Sequence, residues 1–71
     1  MTKRTFSVIL YKEEDIYIAE CPEVGTVSQG YSIEEAITNL KEATELYLEE
    51  FPEKLPHERP LLTTFEVVIN A

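Results

Sequence analysis

The chain holds one cysteine and one histidine, the side chains best suited to covalent or acid–base chemistry, and the neighbours of each argue against it. Cys21 follows Glu20 and precedes Pro22-Glu23. A nucleophilic thiolate needs a nearby cation to lower its pKa, and these carboxylates raise it. Cys21 therefore reads as a small buried apolar residue. His57, in PHERP, is of the residue type that most often serves as a general base, but no nucleophile stands beside it, so it reads as a solvated loop residue. One Cys and one His cannot complete a four-ligand zinc site. The run Glu13-Glu14-Asp15 lacks the spaced oxygens and the glycine of a calcium loop and reads as a charged hairpin tip. Gly25 and Gly30 do not form the GxGxxG or GxxxxGK phosphate-binding spacings and read as turn glycines. Neither a catalytic residue, nor a metal ligand, nor a cofactor is expected.

The bulk properties point towards binding. The net charge is −8, from fourteen acidic residues against six Lys and Arg. Phosphates repel such a field, so nucleic acid is a poor partner and a basic protein a good one. Lys3-Arg4 is too short a basic run to change that. The start, MTKRTFSVILYKEED, is too soon charged for a signal peptide, and no apolar run approaches the roughly 20 residues that span a bilayer. With a single cysteine, these features predict a cytoplasmic protein without a membrane partner. The 71 residues make one domain, 1–71. A domain this small buries only about 60% of its unfolded surface, and with no disulfide available, self-association is the expected source of further burial.

The elements follow from periodicity. TFSVILY, residues 5–11, is rich in β-branched and aromatic types and reads as a strand; IYIAE, 16–20, reads as its hairpin partner across a polar turn. CPEVG, 21–25, is a break, and 26–29 a short third strand. Ser32 and Glu35 form a capping-box pair, with Tyr31 and Ala36 at staple positions. Ile33, Ala36, Ile37, Leu40, Ala43, Tyr47 and Phe51 then make one helical stripe. Glu34, Glu35, Glu42, Glu45, Glu49 and Glu50, with Lys41, make the opposite surface, and Pro52 stops the helix. PEKLPHERP, 52–60, reads as a crossing loop and LLTTFEVVI, 61–69, as a last strand. The fold class is thus α+β, in the order β-β-β-α-β: a four-stranded sheet in the order 3-2-1-4, the last strand parallel to the first, with one helix on one face.

Both faces of that sheet carry large apolar residues, and one helix covers one face only. The uncovered face predicts a protein partner, most simply a second copy in a dimer or tetramer. Ile9, Tyr11, Ile16, Ile18 and Val68 are the residues expected to form that oligomer or partner face.

IYIAECPEV followed by GTVSQGYSIEEAITNLKEATELYLEE resembles the N-terminal domain of HicB-like antitoxins. The resemblance rests on Tyr17, Ala19, Pro22, Glu23, Gly25, Gly30, Ser32, Glu34, Glu35, Ala36, Asn39, Lys41, Glu42 and Ala43, and covers about residues 6–51. It implies a truncated ribonuclease-H-like fold, self-association, and binding of a small basic HicA-type messenger-RNA-cleaving toxin, with Tyr17, Glu20, Pro22 and Glu23 expected at the toxin-docking surface. Ribonucleases of that outline hold two metal ions on carboxylates of the strands and helix. TFSVILY has none and the last strand only Glu66, so no enzyme is implied. Full antitoxins of this family add a C-terminal DNA-binding domain; the chain ends at Ala71, so direct DNA binding is not expected. A stand-alone oligomer binding a small ligand or nucleotide at a subunit interface, stacked on Tyr11, Tyr17 and Tyr31, is the alternative.

Overall fold

A computed structural model describes residues 3–58 and 61–70. The first strand, β1 (Ile9–Glu13), and the second, β2 (Ile16–Cys21), form a hairpin with Glu13 opposite Ile16. Its connection is therefore only Glu14-Asp15. Glu14 has φ 52°, the left-handed conformation that two-residue hairpin turns require at their first position. The expected strand over 5–11 begins later, at Ile9. Residues 5–8 lie outside the sheet, yet Phe6 and Val8 pack against the core and the Ser7 N–H donates to Glu23 Oε2 at 2.9 Å.

The break at 21–25 is a turn closed by the Gly25 N–H donating to the Cys21 carbonyl at 2.7 Å, with Gly25 at φ 92°. The third strand, β3 (Thr26–Gly30), returns antiparallel to β2. The helix, α1 (Ile33–Glu50), starts where the capping residues place it. The Ser32 hydroxyl accepts from the Glu35 N–H at 3.0 Å, and Glu35 Oε1 accepts from the Tyr31 N–H at 2.6 Å. The box is thus made one residue further back than the usual return bond to the cap itself. Tyr31 is 79% exposed, so the expected staple with Ala36 does not form. Asn39 Nδ2 donates to the Gln29 carbonyl at 2.8 Å and ties the second helical turn to β3. A single 3-10 turn, Pro52–Lys54, follows the helix.

The helix packs on β3 and β2, over the sheet face that carries Tyr17, Ala19 and Cys21. The core is small: Ala19, Cys21, Ala36 and Leu40, with Tyr17, Val24, Phe6 and Val8 at its margin. Of the expected helical stripe, Ala36 and Leu40 are buried, Ala43 and Tyr47 are half-buried, and Ile33, Ile37 and Phe51 are exposed. The third buried helix position is Thr44, whose hydroxyl lies 2.6 Å from that of Thr26. A hydroxyl pair satisfies both groups without water.

The four-stranded, ribonuclease-H-like arrangement with order 3-2-1-4 and a parallel last strand is overturned. The sheet has three antiparallel strands in the order β1-β2-β3, and residues 61–70 take no part in it. The physical reason lies in what alternation encodes. Phe65, Val67 and Ile69 fit a half-buried strand, but the pattern specifies burial and not the surface that supplies it. After the 3-10 turn, Arg4 donates to the Pro56 carbonyl and ties the loop to the N-terminal segment. Residues 61–70 then run as an exposed arm, with Phe65 87% and Val68 93% accessible.

Candidate functional site: the uncovered sheet face

The two-residue turn fixes the register that the sequence leaves open. It sets Tyr11 opposite Ile18, Glu13 opposite Ile16 and Ile9 opposite Glu20. Because neighbouring side chains alternate across a strand, Ile9, Tyr11, Ile16 and Ile18 share the face that α1 does not cover. Val27, opposite Glu20, and Gln29, opposite Ile18, extend this face onto β3. It is an apolar patch with Glu13 and Gln29 on its outer strands and Glu20 on the central strand between Ile9 and Val27. Tyr11 and Val27 are exposed, and Ile9, Ile16 and Ile18 are half-buried. Val68, grouped with these four by the sequence, lies in the exposed arm instead.

The residues expected at a toxin-docking surface separate. Glu20 joins the uncovered face. Tyr17 points to the helix side, where the Lys12 ammonium sits 5.6 Å from its ring centroid, a cation–π contact. Pro22 is exposed on the turn after β2. Glu23, on the same turn, is occupied: its carboxylate accepts from the Ser7 N–H and, at 3.5 Å, from the Cys21 thiol. Tyr11 and Tyr17 lie on opposite faces and Tyr31 before the helix, so the three tyrosines make no aromatic clamp within one chain.

Burial pushes the Cys21 thiol above its ordinary pKa, and the Glu23 carboxylate that it donates to adds to the shift. The thiol is therefore a poor nucleophile at neutral pH. Partial desolvation pushes Glu23 upward, but the hydrogen bond from Ser7 and the other bonds to its carboxylate outweigh this and hold it below the usual carboxylate value. A carboxyl whose pKa is lower folded than unfolded stabilises the fold above its unfolded pKa, and this is lost as pH falls through the folded value. Wild type should therefore exceed Glu23→Gln in stability by a constant margin above about pH 5, an unfolded glutamate titrating near 4.3. The margin should close on further acidification. Urea midpoints at a series of pH values test this, and a margin independent of pH down to 2 would contradict it.

A groove that the sequence does not announce lies between the N-terminal segment and α1. Arg4, Phe6, Ser7 and Val8 form one wall, Ile37, Leu40, Lys41, Thr44, Glu45 and Leu48 the other, and Cys21 lies between them, around about 330 Å³. The available signal was Phe6 and Val8, apolar residues that the sequence assigns to the first strand and that instead lie ahead of β1. Among the described residues, no group of three or more His, Cys, Asp or Glu is placed to hold a metal ion. No helix among them is long and apolar enough to cross a membrane.

A three-stranded antiparallel sheet backed by one helix, with its other face not covered by that helix, defines a small α+β protein. The chain is 44% identical over 52 residues to a UPF0150 protein of Synechocystis sp. (strain ATCC 27184 / PCC 6803 / Kazusa), an alignment covering 70% of this chain and 75% of that one. It is 51% identical over 43 residues to a UPF0150 protein of Helicobacter pylori (strain J99 / ATCC 700824), covering 59% of this chain and 60% of that protein. The chain belongs to the UPF0150 family. No protein-family model matches it, and no solved structure does.

Proposed function

We propose that this chain is a non-enzymatic protein-binding module of the HicB-like antitoxin type, self-associating and acting in the cytoplasm. Its partner on this reading is a small basic messenger-RNA-cleaving toxin of the HicA type. The observation that carries the reading is the bare sheet face of Ile9, Tyr11, Ile16 and Ile18. Contiguous apolar surface rimmed by polar residues marks protein interaction sites. The sign of the partner comes from α1, which presents Glu34, Glu42, Glu45, Glu49 and Glu50 to solvent against Lys41 alone. Such a field steers a basic protein towards the surface and repels RNA.

The test is co-expression with a small basic protein encoded beside this chain. The expected result is rescue of growth from that protein's toxicity and a stable, co-purifying complex, both lost in a Tyr11→Asp/Ile18→Asp variant that keeps its circular dichroism. Undiminished toxicity in the presence of the folded wild-type chain, or the absence of any complex between the two, would refute the antitoxin reading.

A further inference from the structure

We propose that the groove between the N-terminal segment and α1 receives residues 61–69 of a second copy of this chain, and that the exchange is reciprocal. This deepens only the self-association part of the reading above and is independent of any toxin.

The arm is a strand-like segment without a surface. Leu61, Leu62, Phe65, Val67, Val68 and Ile69 are all well exposed. The radius of gyration is 14.3 Å, against about 11 Å for a compact domain of this length. The accessible surface is 6378 Å², about 1,800 Å² above the roughly 4,500 Å² of a folded monomer of this mass. A standard interface buries about 800 Å² per partner, so the surplus suffices for one.

The groove is a surface without an occupant. It has apolar walls of Phe6, Val8, Ile37, Leu40 and Leu48. From Ile37 to Leu48 it runs roughly 16 Å, at 1.5 Å per helical residue. Phe65 to Ile69 spans roughly 13 Å at about 3.3 Å per extended residue, with Phe65, Val67 and Ile69 on one side. Charge favours the match. Two copies at −8 each repel, but the arm's one charged residue is Glu66, and the groove sets Arg4 and Lys41 against Glu45 alone, leaving it locally positive. Since arm and groove belong to the same chain, one two-fold operation fills both grooves and leaves neither arm over.

The experiment is cross-linking in trans. Ile37→Cys and Val67→Cys are made separately in a Cys21→Ala background, mixed and oxidised. The expected product is a covalent dimer formed at least tenfold more in the mixture than by either variant alone. By light scattering, Val67→Asp should convert the dimer to a monomer with unchanged circular dichroism, while Ile18→Asp on the sheet face should leave it dimeric. A Val67→Asp variant that stays dimeric while Ile18→Asp dissociates would overturn the arm exchange and leave self-association through the sheet intact. A chain carrying both cysteines that closes on itself as a monomer would show the arm folding into its own groove, and would equally overturn it. A wild type monomeric at high micromolar concentration would refute both the exchange and the self-association.

Discussion

Gly30→Ala is expected to lower the midpoint of thermal unfolding by roughly 15 °C. A β-carbon at Gly30 would lie 2.6 Å from the Ala36 nitrogen and 2.9 Å from both the carbonyl carbon and the Cβ of Glu35. Two of these are backbone atoms of the first helical turn and cannot rotate away. Moving that turn would strain the bond between Ser32 and the Glu35 N–H and the bond from Asn39 to the Gln29 carbonyl. Overpacking of this kind costs about 2–3 kcal/mol, and each kcal/mol shifts the midpoint of a domain this small by about 4–8 °C. The loss is a large share of the roughly 4–10 kcal/mol that stabilises a chain of this length. Gly25 is the control. It sits at φ +92°, and a β-carbon there would meet nothing within 4 Å, so Gly25→Ala meets backbone strain alone, about 1–2 kcal/mol. Should Gly30→Ala melt with wild type, or be milder than Gly25→Ala, the helix does not rest against the end of β3.

The contrast between these glycines shows what was legible in the sequence. Both read as turn residues, and for Gly25 that holds. Gly30 is glycine because a helix stands on it, and such closeness goes with the small Ala19 and Ala36 packing between sheet and helix. Small residues carry no apolar signal strong enough to reveal that contact. Thr44 was hidden for a related reason: a polar residue is left out of an apolar stripe, and only its pairing with Thr26 makes it an interior one. The capping pair was legible because it is local, with partners three or four residues apart. The hairpin register was not, since a glutamate at positive φ leaves no Asn-Gly signature. Once that turn is known, the grouping of Ile9, Tyr11, Ile16 and Ile18 follows from strand alternation alone. Val68 and the arm mark the opposite limit. Their alternation was readable, but a pairing partner at long range, or in another chain, leaves no local trace.

Leu40→Ala should cost about 2–3 kcal/mol, read as a lower urea midpoint with an unchanged slope. The buried cluster is Ala19, Cys21, Ala36 and Leu40, so Leu40 is its one large aliphatic side chain. Removing it takes away the largest aliphatic side chain of that cluster, in which α1 meets β2. The effect stays at the low end of the usual range because Leu40 also lines the open groove, where Phe6 and Val8 can shift or water can enter instead of leaving a sealed void. Leu46 isolates the contribution of burial. It lies on the same helix, has the same chemistry and is 59% exposed, so Leu46→Ala should fall within about 0.5 kcal/mol of wild type. Equal losses at the two positions would mean that helix propensity, not the contact with the sheet, sets the stability of α1. If an arm from a second copy covers Leu40, the cost of Leu40→Ala should also grow with protein concentration, because dissociation then precedes unfolding.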